Sequence, residues 1–216
     1  MLKESVLNRL YIPLLWELAL VIATIVVPKQ AFNLFFVFYL GLLIYFYFIH
    51  KQFSFRKMRS HFGKIKEFWL PVLITFGGLF AAGKLREFIT MTYSYDIDDH
   101  VVNIIVENDL IPTLVYAFMM IVMKPVAEEF FYRRALISFD NKKKTAILTV
   151  VSLLLCSIAR AHGWLGIAEW MIMALPVTIA YLLTKNVYVT VMAHVLFELY
   201  DNAYEVVYTV GRILYR

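Results

Sequence analysis

A chain of 216 residues, 62% of them hydrophobic and 17% charged, is too apolar for a soluble globule, where apolar usage is about 45–50% and charged usage about 25%. With a mean hydropathy of +0.71 it reads as an integral membrane protein, and its net charge of +5 sits in basic clusters between apolar runs, which membrane topology explains and nucleic-acid binding does not. Cys156 is the only cysteine, so an intrachain disulfide and a cysteine-rich metal site are excluded.

Apolar runs follow one another along the chain without a Ser/Gly-rich linker. They predict an all-α, multi-span helical membrane protein of about seven transmembrane helices plus a short C-terminal helix, in one integral membrane domain over 1–216. The first run, 10–27, holds Pro13 and Glu17. Lys3 and Arg9 precede it as in a signal sequence, but its length and the lack of a small-x-small site predict an uncleaved span. The second run is 32–49. Lys51, Arg56, Lys57, Arg59, Lys64 and Lys66 follow it, and such a short basic loop marks the cytoplasmic side, which places the N-terminus there too.

The third span covers 68–82, where Gly77 and Gly78 permit close helix contact. Asp96, Asp98, Asp99, Glu107 and Asp109 then mark the outer side, with His100 solvated among them and an interfacial helix expected over 101–106. Residues 1–109 thus comprise N-terminal spans and an acidic outer loop. The fourth helix covers 111–139, before the cytoplasmic lysines Lys142, Lys143 and Lys144. The fifth covers 145–161 and ends at His162. The sixth covers 165–183, with a break or kink at Pro176. The seventh, 187–200, carries His194. The tail 204–216 is short against about 20 residues per crossing and is expected to lie at the interface.

The chemistry gathers in the fourth helix, where Glu128 and Glu129 stand together in an apolar run. Ionisable groups cost about 2.5–3.5 kcal/mol each at a helix centre on insertion scales, so they are paired, hydrated or used. Glu129 and Arg133 are four apart, in the acid-before-base order that favours pairing. Glu128 points elsewhere, with Tyr132 as its sole own-helix neighbour, and remains available for acid–base work. Pro125 cannot donate to the carbonyl of Ile121, which predicts a kink beside the carboxylates. His162 and His194, on separate helices, complete a carboxylate–imidazole set with Glu128 that can hold and polarise a water. Glu198, four residues after His194, faces the same way.

The blander alternative is a cytoplasmic rim, with Arg133 and Arg134 snorkelling, the glutamates solvated and each histidine in ordinary packing. Glu17 and Glu169 read as interfacial or paired acids. Neither a His-Glu-x-x-His helix nor a Gly-x-Ser-x-Gly elbow is present. Tyr200-Asp201 matches half of an aspartyl intramembrane protease signature without the second half, and is taken as a helix end.

Glu128-Glu129-x-x-x-Arg133, then His162, then His194, over 125–201, resembles the CPBP family, also called the Abi or CAAX-protease and bacteriocin-processing family of intramembrane glutamate-type proteases. Ile158 stands where its second motif, Phe-x-x-x-His, has Phe. Glu198 stands where its third, His-x-x-x-Asn or Asp, has the final residue. The resemblance implies that residues 110–201 hold the catalytic-motif helices. It implies that Glu128 and His162 activate a water that attacks a peptide carbonyl, that His194 and the position of Glu198 assist the oxyanion, and that Glu129 with Arg133 is structural.

The implied activity is an intramembrane endopeptidase in a lipid bilayer, expected to be a bacterial cytoplasmic membrane, acting on a peptide or membrane-protein substrate. No cofactor is expected; were a divalent metal such as zinc bound, Glu128, His162 and His194 would be its ligands. Two alternatives stand beside this. One is a non-proteolytic regulator or bacteriocin self-immunity protein that binds a membrane partner or peptide, favoured by Glu198. The other is an ion or proton pathway, since intramembrane Glu and His also serve as relays. The oligomeric state is left open.

Overall fold

Three local chemistries start the later helices. Asp109, Asn141 and Asn186 each stand in extended backbone and accept a hydrogen bond from a backbone N–H just beyond, at Leu110, Lys143 and Tyr188 respectively. Each side chain thereby satisfies a donor that the first turn leaves unpaired. A computed structural model describes residues 2–49, 51–93 and 101–215, with the backbone alone described at 2–9 and 55. Asp96, Asp98, Asp99 and His100 lie outside the described residues.

The elements are α1 (Leu2–Val26), α2 (Ala31–Ile44), α3 (Phe55–His61), α4 (Leu70–Tyr93), α5 (Leu110–Phe118), α6 (Lys124–Glu128), α7 (Lys142–Ile158), α8 (Trp164–Thr184) and α9 (Val187–Leu214). π-Helical turns prolong α2 over Tyr45–Ile49 and precede α4 over Ile65–Trp69. No strand occurs among the described residues; an isolated bridge joins Val101 to Ala161. Four stretches are long and apolar enough to cross a membrane: Pro28–Ile49, Ile65–Tyr93, Leu110–Ala135 and Trp164–Thr184. The protein is therefore all-helical and multi-pass. The apolar part of α1 is shorter, Leu10–Val26, and α7 opens on three lysines.

The inside and outside are reversed relative to a soluble protein. Leu73, Ile74, Phe88, Ile111, Phe118 and Leu183 are exposed, while Glu17, Lys124, Glu128, Glu129, Arg133, Glu169 and Glu198 are buried. That distribution suits a solvent of hydrocarbon, in which ionisable groups face the bundle interior. Phe46, Phe68, Phe130, Phe131, Tyr132 and Tyr188 fill the core around them.

Five expectations are corrected in whole or in part. Residues 101–106 are not helical: Val102 N donates to Arg160 O at 2.8 Å, so this segment is tied to the end of α7 and not laid as an interfacial helix. The helix of the third span runs on to Tyr93. The tail joins the seventh helix, because α9 continues unbroken to Leu214 and Asn202 Nδ2 donates back to Glu198 O at 2.9 Å inside it. Asp201 therefore stands within a helix and not at its end. Of the break or kink expected at Pro176, the break is absent, since α8 continues past it to Thr184.

Pro125 acts through a widened turn. With no N–H to donate to Ile121, it sits at the start of α6 directly after a π-turn over Met119–Met123, and a second π-segment, Glu129–Ala135, follows α6. A π-turn re-aims the residues after it without ending the helix, so Leu110–Ala135 remains one helical stretch.

α4 packs on α8 and α9, and α7 on α8. A Cβ on Gly78 would lie 3.1 Å from Pro176 Cβ, whereas one on Gly77 would meet nothing within 4 Å. Of the two glycines, Gly78 alone makes the close approach. Gly78→Val is expected to destabilise the fold by about 1–3 kcal/mol through overpacking. Gly77→Ala is expected to be neutral or slightly stabilising. Thermal unfolding of both variants in detergent checks the contrast.

Candidate active site

Lys124 and Glu128 stand one turn apart on α6 and share a face. Both are buried, and Glu128, Glu129 and Arg133 are 2%, 0% and 1% exposed. The solvated-rim alternative is thereby ruled out for these three residues. Glu128 Oε1 accepts from the Tyr39 hydroxyl of α2 at 2.9 Å, and its Oε2 is paired with the Arg160 guanidinium beyond the end of α7. Tyr132, its expected own-helix neighbour, donates instead to Glu17 Oε1 at 3.0 Å.

Glu129 faces the other way, towards α9. Its Oε1 lies 3.6 Å from Arg133 Nη1 and 3.0 Å from His194 Nδ1. The pairing with Arg133 expected from the four-residue spacing is present, and His194 joins it. Arg133 is further fixed by Nη2, which donates to Ala174 O at 3.2 Å and to Thr178 Oγ1 at 3.3 Å on α8. With Cys156 Sγ at 3.9 Å from Nη1 as well, these contacts hold the buried guanidinium and anchor this helix to α8.

The imidazole of His194 bridges two carboxylates. Its Nε2 lies 3.3 Å from Glu198 Oε1, which also accepts from Lys124 Nζ at 2.6 Å. Asn202 Nδ2 donates to Glu198 Oε2 at 3.2 Å, and Asn202 Oδ1 accepts from the Tyr116 hydroxyl at 3.3 Å. The chain Arg133, Glu129, His194, Glu198, Lys124 thus sets carboxylates between nitrogen groups across α9 and α6 with the π-segment that follows it, as buried ions require.

Lys124, Glu128, Arg160, Trp170, His194 and Glu198 line one cavity of about 220 Å³. It is polar and roomy enough for several waters. Trp170 of α8 lies beneath two guanidinium groups, those of Arg160 and Arg86, each 4.4 Å from the ring centroid. Arg86 also reaches Glu169 at 3.5 Å, and Thr90 Oγ1 donates to that carboxylate at 3.0 Å, so Glu17 and Glu169 are both partnered acids.

Of the four residues expected to act on substrate, three converge: Glu128, His194 and Glu198. His162 does not line this cavity; its Nε2 lies 3.3 Å from Thr24 Oγ1 on α1. Residues 160–162 pass the bridge from Val101 to Ala161, and this turn directs Arg160 to Glu128. Among the described residues no three His, Cys, Asp or Glu side chains group as a metal ion would need. Glu128, His162 and His194 therefore do not form a ligand set here.

The family model described as type II CAAX prenyl endopeptidase Rce1-like matches residues 110–200. Over that segment, the chain resembles the CAAX-protease family. The matched segment spans the positions of all three motifs, from before Glu128 to beyond Glu198, of which Glu128-Glu129-x-x-x-Arg133 is present in full. No curated protein and no solved structure matches the chain.

The sequence alone did not single out Lys124, Arg160, Tyr39 or Trp170. A signal existed for Lys124, a lone cation four residues before Glu128 in an apolar run, and for Arg160, two residues before His162. None existed for Tyr39 or Trp170, which look like the other aromatics around them. Removing one member of a buried pair costs about 3–5 kcal/mol. Arg160→Met is expected to destabilise by that order, and Arg160→Lys by less, as read from unfolding midpoints in detergent.

Proposed function

We propose that the protein is an intramembrane endopeptidase that hydrolyses a peptide or membrane-protein substrate by an activated water, without a metal. The observation that carries this reading is the polar cavity, set in an apolar bundle, in which Glu128, His194 and Glu198 meet. The match of residues 110–200 to a peptidase family supports the same class. In this reading Glu128 takes the proton of the attacking water, and His194, held by Glu129, lines the same cavity. His162 would enter only after the turn that carries it changes, since it contacts Thr24 in the structure. Seven spans, a cytoplasmic N-terminus, a bacterial cytoplasmic membrane and a single domain over 1–216 complete the proposal, supported by the basic segment between α2 and α4.

The test works with an unidentified substrate. Membranes incubated with the reconstituted protein, wild type or Glu128→Gln, are compared by labelling of all free protein N-termini. New termini are expected with the wild type, reduced at least about 100-fold by Glu128→Gln, the order that one acid–base group supplies. Identical termini from both proteins would remove Glu128 as the base, and no new termini from either would remove the hydrolase reading.

A second reading has its own support: Arg160 on Glu128 and His162 on Thr24 are contacts that suit a non-proteolytic regulator or immunity protein. Under it, Glu128→Gln and His194→Ala keep full biological effect at normal abundance in cells. Under the peptidase reading, both lose it.

A further inference from the structure

The geometry points to Lys124 as the group that stabilises the oxyanion, in place of the residue at 198; this rests on the peptidase reading. Charge decides among the donors that line the cavity: Trp170 Nε1, buried without a hydrogen-bond partner among the described residues, the Tyr116 hydroxyl and the Asn202 amide are neutral, and a cation stabilises a developing negative charge more strongly. An ionised carboxylate only accepts hydrogen bonds, so Glu198 cannot serve an oxyanion, unlike an amide at that position. His194 has both ring nitrogens turned to carboxylates, Nδ1 at 3.0 Å from Glu129 and Nε2 at 3.3 Å from Glu198. The guanidinium of Arg133 is engaged by Glu129, Ala174 and Thr178, that of Arg86 by Glu169, and that of Arg160 by Glu128 itself.

Lys124 is paired too, and differs from these in standing on the same helix as Glu128, one turn before it. Its ammonium has three N–H donors, one of which goes to Glu198 Oε1 at 2.6 Å. It is buried, lines the same cavity as Glu128, and stands one helical turn from it. A cation fixed in a low-dielectric site beside the base is the arrangement that stabilises charge developing in a transition state. Glu198 then compensates Lys124 in the resting site and aims the ammonium, with Asn202 holding its second oxygen at 3.2 Å.

In the addition step, water oxygen bonds to the carbonyl carbon while its proton passes to Glu128, and the carbonyl π pair moves onto oxygen, where Lys124 donates to it. Collapse restores the carbonyl, the C–N bond breaks, and the leaving nitrogen takes the proton from Glu128. A carboxylic acid and an amine result.

Lys124→Met alone leaves Glu198 buried and unpaired and is liable to misfold, so the decisive variant is the double Lys124→Met/Glu198→Gln, which removes both charges. It is compared with Glu198→Gln on the peptide cut fastest in the N-terminal labelling experiment, after thermal unfolding shows both proteins folded. The expected result is a kcat about 100–1000-fold below that of Glu198→Gln, the loss typical of one oxyanion donor. KM should change little, because the interaction forms in the transition state. Equal kcat for the two variants would reduce Lys124 to a counter-ion and overturn the inference while leaving Glu128 as base. Failure of the wild type to cut any protein would overturn both together.

Discussion

The burial of charge in an apolar bundle is the constraint on which the structure depends. Each ion taken out of water costs several kcal/mol unless opposite charge and hydrogen bonds meet it. Here the compensation is supplied between helices. Glu128 of α6 is met by Tyr39 of α2 and by Arg160 beyond α7, Glu129 by His194 of α9, Glu198 of α9 by Lys124 of α6, and Arg133 by backbone and hydroxyl oxygens of α8. The same contacts that neutralise the ions therefore also register the surrounding helices on α6 and its π-segments. Packing among apolar side chains would not do this alone, since in lipid the outer faces have equally apolar neighbours.

The helix that carries the carboxylates is adapted to serve them. Pro125 removes a backbone donor, and the widened turns before and after α6 absorb the defect. Adjacent glutamates on one helix point in different directions, and each therefore finds its own partners: Glu128 opens on the cavity, while Glu129 is closed in by Arg133 and His194. The split between a carboxylate that lines the cavity and one that is enclosed follows from these directions. A similar effect operates at the end of α7, where the bridge between Val101 and Ala161 sets which neighbouring side chain turns inward. Arg160 does so, and His162 goes to α1.

Glu198 takes on a meaning that its position in the motif alone did not suggest. A carboxylate at this place brings a charge that an amide would not, and Lys124 is the charge that answers it. The two are 74 residues apart in the chain, and their proximity depends on how α6 and α9 pack. The departure from the family pattern at 198 is thus matched by a cation in the same cavity.

By itself the sequence determined the membrane setting, the helical class, most helix positions and the pairing of Glu129 with Arg133, since hydropathy, caps and a four-residue spacing are local properties read directly from residue order. It also singled out Glu128, His162, His194 and Glu198 as one set, because charge in an apolar run is conspicuous wherever it stands, and His162 falls outside the cavity that the other three line. The tertiary structure alone decided the partners: Arg160 and Tyr39 on Glu128, Lys124 on Glu198, Thr24 on His162, and the continuation of α9 to Leu214. Those outcomes depend on the crossing of helices and on one bridge between distant segments. Periodicity within a helix tells which face a side chain takes, and does not tell what stands opposite it.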